Sequence, residues 1–217
     1  VHLFVITKEE EEEYHIVRLT GKGKEQLYSS PHEIKYLDIY PGQQGIMIHE
    51  QLPGTTTMNT AYLDLHTKTV YPLQDVLPIN PQRVFTEIIE GGYFLKVLVD
   101  YERQDVPVVD IWYGDDCQLE KKFYPVPHFM YYIWKPGLKQ IEQIGADQST
   151  EKMSLGNERY FLSVDRFLLQ DYLTSLPMLK IDIYDRRENA YYLMDTIKEL
   201  YPSPGGQYIL YLKDHNW

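Results

Sequence analysis

Seven histidines are the first side chains of this sequence that could do chemistry. His15, His32, His49 and His66 recur at equal intervals of 17 residues. A metal site needs ligands that converge in space, as H-x-x-x-H or H-E-x-x-H does on a helix, and neither pattern occurs. Equal spacing across twisted strands brings no such convergence, so no metal ligand is assigned. Asp100, Asp105, Asp115 and Asp116 crowd carboxylates into a short span, and a carboxylate pair at the right separation is the machinery of glycoside hydrolysis. Trp112 and Trp134 offer faces for a sugar or a peptide, although aromatics on strands more commonly pack one sheet on another. Gly21-Lys22-Gly23-Lys24 has the residue types of a phosphate loop without the G-x-x-x-x-G-K-[ST] spacing, and reads as a hairpin turn. Cys117 follows Asp115 and Asp116, whose charges oppose a thiolate and so a nucleophilic role. No G-x-S-x-G pentapeptide is present to form a nucleophile elbow. No catalytic residue, metal or cofactor is therefore assigned, and the substrate-binding residues are unknown at this level.

The elements that must position such groups are constrained by composition. The chain has 217 residues, 43% hydrophobic and 24% charged, which is an ordinary globular balance. Its formal charge of −11 argues against nucleic acid, whose phosphates call for clustered cations. The longest apolar runs, 97–99 and 129–134, are strand-sized, so no membrane span is expected. A single cysteine excludes an internal disulfide. Twenty tyrosines favour strands with apolar bodies and polar tips. The acidic run 9–13 reads as a solvated hairpin tip whose charge discourages pairing at an edge.

Strand-length apolar or alternating runs fall at 1–7, 15–19, 36–40, 46–51, 61–66, 84–89, 93–99, 106–113, 130–134, 160–164, 179–184, 190–194 and 207–212. Turn residues separate them, among them Pro41-Gly42, Gly91-Gly92, Pro136-Gly137 and Gly156-Asn157. Only 167–173 and 195–201 could form a turn or two of helix. A degenerate repeat underlies the pattern. Gly42, Gly92, Asn157 and Gly206 mark turns 50, 65 and 49 residues apart. Each of the first three is followed by an apolar-Asp-apolar triplet, centred on Asp64, Asp110 and Asp182. These carboxylates would form a ring around a channel or, as the better reading, bond neighbouring turns. Periods near 50 residues point to an all-β propeller, because a four-stranded blade must cover its faces with its neighbours.

Particular segments carry a family resemblance. Ser203-Pro204-Gly205-Gly206-Gln207-Tyr208-Ile209-Leu210-Tyr211 resembles the S-P-D-G-K-Y-I-x-Y signature of TolB-like and prolyl-oligopeptidase-family propellers, with Gly205 in place of Asp. Ala61-Tyr62-Leu63-Asp64-Leu65-His66-Thr67-Lys68 is similar to the same family's x-Y-L-x-D-L-x-T-G hairpin, with Lys68 where glycine is commonest. Segments 14–27 and 132–144 are weaker copies. Val109-Asp110-Ile111-Trp112, continuing to Gln118-Leu119, resembles the V-D-I-W-x-x-x-D-x-x-L-Q strand of large bacterial prolyl-oligopeptidase-like proteins. Gly156-Asn157-Glu158-Arg159-Tyr160-Phe161-Leu162 resembles S-P-D-G-R-Y-x-L.

The resemblance implies a partial ring of about 4–5 four-stranded antiparallel blades, in approximate units 1–28, 36–75, 83–145, 150–195 and 199–217, truncated at both ends. It implies a non-catalytic propeller region that gates or orients peptide substrate for an α/β-hydrolase domain outside this stretch. The whole protein would then be a serine peptidase, and the stretch itself no enzyme. A TolB-like protein-interaction scaffold and a carbohydrate-active propeller are the alternatives. The expected partner is a peptide substrate or a protein, and exposed terminal blades would favour self-association. The resemblance favours a periplasmic, extracytoplasmic location in bacteria, although the chain shows no signal peptide.

Overall fold

The computed structural model describes residues 3–8, 13–39, 44–55, 57–102, 126–145, 150–165, 179–203 and 208–213. Seventeen strands and two 3-10 turns, Leu73–Asp75 and Pro136–Leu138, make up the regular structure of these residues. The fold is all-β. Strands β1 (Leu3–Lys8), β2 (Tyr14–Thr20) and β3 (Gly23–Ser30) form a first sheet. The second consists of β4 (Glu33–Asp38), β5 (Gly45–Gln51), β6 (Met58–Asp64) and β7 (Val70–Pro72). The third contains β8 (Arg83–Ile89), β9 (Gly92–Glu102), β10 (Val126–Lys135) and β11 (Gln140–Gln143). The fourth contains β12 (Glu151–Ser154), β13 (Tyr160–Asp165), β14 (Leu179–Asp185) and β15 (Ala190–Ile197). A fifth pairs β16 (Glu199–Pro202) with β17 (Ile209–Leu212). Within every sheet each strand lies beside its neighbour in sequence. The four-stranded antiparallel sheets resemble propeller blades.

The chain divides into two compact units, Val1–Val84 with Pro136–Gln140, and Phe85–Lys135 with Ile141–Trp217. In the first unit the first two sheets share one core. Ile16 and Leu27 from one meet Ile34, Ile46, Ile48 and Leu63 from the other. Polar groups at this junction are paired: the Tyr28 hydroxyl donates to Glu50 Oε1 at 2.9 Å, and Glu25 accepts from Arg18 and Lys68. In the second unit Phe94, Tyr131 and Ile133 of the third sheet pack on Phe161 and Tyr184 of the fourth. Phe94 and Phe161 stack with centroids 5.5 Å apart. The opposite face of the fourth sheet buries Leu162, Val164 and Ile181 beside Leu200 and Ile209 of the fifth. Successive residues of a strand point to opposite faces, so Phe161 and Leu162 serve two different cores. Strand β13 is accordingly apolar almost throughout instead of alternating.

Three of the sheets end their third strand in the same way. Four residues beyond Asp64, Lys135 and Asp185 stand Lys68, Lys139 and Asn189, with φ of 56°, 51° and 49°. The glycine that Lys68 replaces in the resembling motif thus marks a left-handed position, which L-residues occupy at a cost. Asp64 Oδ1 accepts from the N–H groups of His66 and Thr67, both at 2.8 Å. Asp185 Oδ1 likewise accepts from Arg187 N–H at 2.9 Å. These carboxylates cap turns, as expected for Asp64.

The structural counterpart of Asp64 is nevertheless Asp185, not Asp182. Asp64 and Asp185 close their strands, whereas Asp182 lies mid-strand in β14 and pairs with Lys180 at 3.3 Å. The apolar-Asp-apolar triplet is therefore no true repeat unit, and Asp110 lies outside the described residues. The turn or two of helix that 195–201 could form is also absent. Ile197 pairs with Leu179 at the end of β15 and is buried in the core, and β16 begins two residues later. Burial and cross-strand pairing override the weak helical spacing. The other segment with such spacing, 167–173, lies outside the described residues.

Two substitutions test this framework. A Cβ built on Gly92 would stand 2.7 Å from the Trp134 carbonyl oxygen, backbone that cannot swing aside. Gly92→Ala should therefore cost about 1–3 kcal/mol in urea unfolding. Lys139→Gly relieves the left-handed strain at an exposed turn and should raise stability by about 0.5–1 kcal/mol, net of the extra unfolded-state entropy.

Candidate functional site

The second sheet carries a polar row on the face turned away from the first sheet. Register places Tyr36 of β4, His49 of β5 and Thr60 of β6 opposite one another, helped by an irregularity between Ile34 and Tyr36. His49 is 1% exposed. Its Nδ1 lies 3.1 Å from Thr60 Oγ1 and its Nε2 lies 3.0 Å from Asp38 Oδ2. The Tyr36 ring stacks on the imidazole at 4.3 Å. Burial pushes the His49 pKa below its ordinary value, against the pull of Asp38 and with a push from Arg83. The ring is thus neutral at neutral pH. With Nε2–H donated to the Asp38 carboxylate, Nδ1 is left to accept from the Thr60 hydroxyl.

Thr60 also lines a cavity of about 270 Å³. Thr57, Met58 and Asn59 continue its wall along the start of β6. Leu73 and Gln74 enter from the 3-10 turn, and Leu77, Ile79, Asn80 and Val84 from the stretch that follows. No charged side chain and no aromatic ring contributes to this lining, in a chain of formal charge −11. The carboxamides of Asn59, Gln74 and Asn80 form no side-chain hydrogen bond among the described residues. The site presents hydrogen-bonding groups of both senses against aliphatic walls. Such a lining suits an uncharged ligand with amide-like polarity.

The order carboxylate, imidazole, hydroxyl is also that of acyl-transfer triads. Thr60 is only 2% exposed, within a packed strand row. That sliver of surface gives no room for a tetrahedral centre around its oxygen. The relay is a fixed polar wall, not a nucleophile.

The second unit holds another interior polar row, which sequence reasoning missed. Lys152 is 1% exposed, and its Nζ donates to Ser163 Oγ at 2.9 Å and to Thr150. Ser163 Oγ donates to Thr150 Oγ1 at 2.8 Å, and the Tyr191 ring lies 4.9 Å from the ammonium nitrogen. Nothing in the sequence distinguishes this lysine from a solvated one on an outer face.

The other residues singled out in the sequence take varied positions. His15 Nδ1 is 2.9 Å from Ser29 Oγ, and His66 sits in the exposed turn after β6. Among the described residues no group of His, Cys, Asp and Glu is placed to hold a metal ion. Trp134 is 1% exposed, with Tyr93 at 6.4 Å, so it packs the interior and offers no stacking platform. Gly21 and Lys22 form the turn between β2 and β3, where Thr20 Oγ1 donates to the Gly23 carbonyl at 3.1 Å. Asp105, Asp115, Asp116, Trp112, Cys117, Gly205 and most of the 9–13 acidic run lie outside the described residues, as does the side chain of Asp100.

No protein-family model matches the sequence, and no curated protein does. Solved structures do match. The chain is similar to the uncharacterized protein lmo1340 of Listeria monocytogenes EGD-e at 11% identity and a TM-score of 0.52, covering 92% of this chain and 52% of that one. TolB from Acinetobacter baumannii matches at 12% identity and a TM-score of 0.42, over 96% of this chain and 45% of TolB. The tricorn protease matches at 11% identity and a TM-score of 0.49, over 96% of this chain and 23% of the protease. The chain thus spans about half the length of the first two proteins. At 11–12% identity these similarities are distant and concern the fold alone.

The His49 row makes a prediction about pH. Its ordinary value is 6.5, and the folded value lies below that. Between the two, the unfolded chain binds the extra proton, so stability is full above about pH 6.5 and falls as pH drops through the folded value. Urea unfolding from about pH 8 to about pH 5 should show this loss, and His49→Gln should flatten it. An unchanged slope in that variant would assign the loss to other groups.

Proposed function

We propose that this chain is the non-catalytic blade region of a prolyl-oligopeptidase-like serine peptidase, where it holds an extended peptide for a hydrolase domain. The observation that carries this reading is the uncharged, amide-rich cavity beside β6. Peptide groups are neutral and offer both donors and acceptors, which open carboxamides can match. A glycan site would use aromatic faces and carboxylates, and the cavity has neither. That contrast favours a peptide over a sugar. The stacked sheets supply a rigid support for the wall, as a binding site requires. The resemblance that suggests the peptidase also suggests a periplasmic location.

Isothermal titration with N-acetylated, C-amidated tetrapeptides of Ala, Leu and Pro tests the reading. These neutral peptides should bind, and the same peptides with a central Lys or Glu should bind at least roughly tenfold more weakly, because a charge would be desolvated without a partner. The double variant Gln74→Ala, Asn80→Ala alters exposed side chains only and should weaken binding about tenfold. Equal binding of charged and neutral peptides, or stronger binding of malto-oligosaccharides, would overturn the assignment.

A further inference from the structure

Most cations of this acidic chain are matched to a carboxylate or an aromatic ring. Among the described residues, Lys22, Lys24, Lys139, Arg187 and Lys198 form no side-chain hydrogen bond, ion pair or ring contact. The first four are exposed, where water solvates the charge, whereas Lys198 is half-buried. It stands between β15 and β16, and its backbone N–H donates to the Leu212 carbonyl at 2.9 Å, which fixes its place. Lys198 also lines a second cavity, of about 210 Å³, in the second unit. Met153, Val164 and Leu179, from three strands of the fourth sheet, contribute to its wall. Val164 and Leu179 are buried, at 1% and 7% exposed, and Met153 and Leu200 pack against the same apolar core. The wall is completed by Leu200 with Glu199 and Tyr201 of the fifth sheet. Glu199 is exposed, and its Oε2 accepts from the Tyr201 hydroxyl at 3.2 Å.

We infer that this cavity binds a short apolar carboxylate, with the aliphatic part on Met153, Val164, Leu179 and Leu200 and the carboxylate paired with Lys198. The inference does not rest on the peptide reading above, whose cavity belongs to the first unit. Charge complementarity carries it. A cation withdrawn from water without a partner is unfavourable, and an incoming carboxylate supplies the missing charge-assisted bond. In a chain of formal charge −11 the general field repels anions, so an anion is held only where a local cation faces an apolar surface that adds its own contribution. A wall of aliphatic side chains selects the body, and the ammonium selects the head. The volume sets the size. Sites for drug-sized ligands begin near roughly 300 Å³, so a cavity of about 210 Å³ suits a ligand of a few carbons. A short fatty acid and the C-terminal residue of a peptide share this chemistry.

Titration of the full chain with two matched pairs, monitored by NMR chemical shifts, tests the inference. The pairs are hexanoate with hexanamide, and N-acetyl-leucine with N-acetyl-leucinamide. In each pair the body is the same and only the charge differs. At least one carboxylate should bind roughly tenfold more tightly than its amide, with shifts at Val164, Leu179 and Lys198. The tighter of the two carboxylates identifies the source, a free fatty acid or a peptide terminus. Lys198→Met keeps an aliphatic stem and removes the charge. It should reduce the preference for the carboxylate to less than about twofold, while Lys198→Arg should retain it. Urea unfolding of both variants checks that the second unit is intact. Equal affinity for carboxylate and amide, a preference that survives in Lys198→Met, or no binding of either carboxylate would overturn the inference. The tetrapeptide titrations above, read at the first unit's cavity, would stand or fall separately.

Discussion

The central strands of this chain bury side chains on both of their faces, and most of its architecture follows from that. In β13, Phe161 packs against Phe94 of the third sheet, and its neighbour Leu162 joins the core shared with the fifth. Each such side chain contributes on the order of 1.5–3 kcal/mol when fully covered. That contribution exists only if a second sheet covers the face in question. A sheet of four short strands cannot cover both of its own faces, and within each unit the sheets depend on one another. The same demand governs the polar residues enclosed between faces. His49 and Lys152 are satisfied by hydroxyls from the adjacent strand, Thr60 and Ser163, because the nearest partner for a buried polar group is its cross-strand neighbour.

Two-faced burial also decides what was legible in the sequence. Runs such as Ile46-Met47-Ile48 and Phe161-Leu162-Ser163-Val164 are apolar on both sides and announce strands without helical ambiguity. Strands β3, β12 and β16 gave no comparable signal. The residues Glu151-Lys152-Met153-Ser154 of β12 look like a polar loop, yet Lys152 and Ser154 are buried and the strand pairs fully with β13. An outer or short strand borrows its stability from the ladder, and its own composition says little. Turn chemistry was read more reliably. The left-handed Lys68 stands where the resembling motif has glycine, since backbone geometry at a hairpin constrains residue choice more tightly than packing does.

The candidate site was visible only in fragments. Equal histidine spacing singled out His49, but that spacing has no role. Its partners Asp38 and Thr60 each lie 11 residues away, on the strands before and after. Hairpin register brings them together, and register depends on loop lengths that residue types alone do not reveal. The cavity wall is assembled in the same way. Pro72 closes β7 opposite Ala61, whose N–H faces β5, so the proline's missing donor costs no ladder bond. The 3-10 turn that follows packs on β6, and Leu73 and Gln74 thereby reach the wall, a placement set by where the ladder stops and not by residue type.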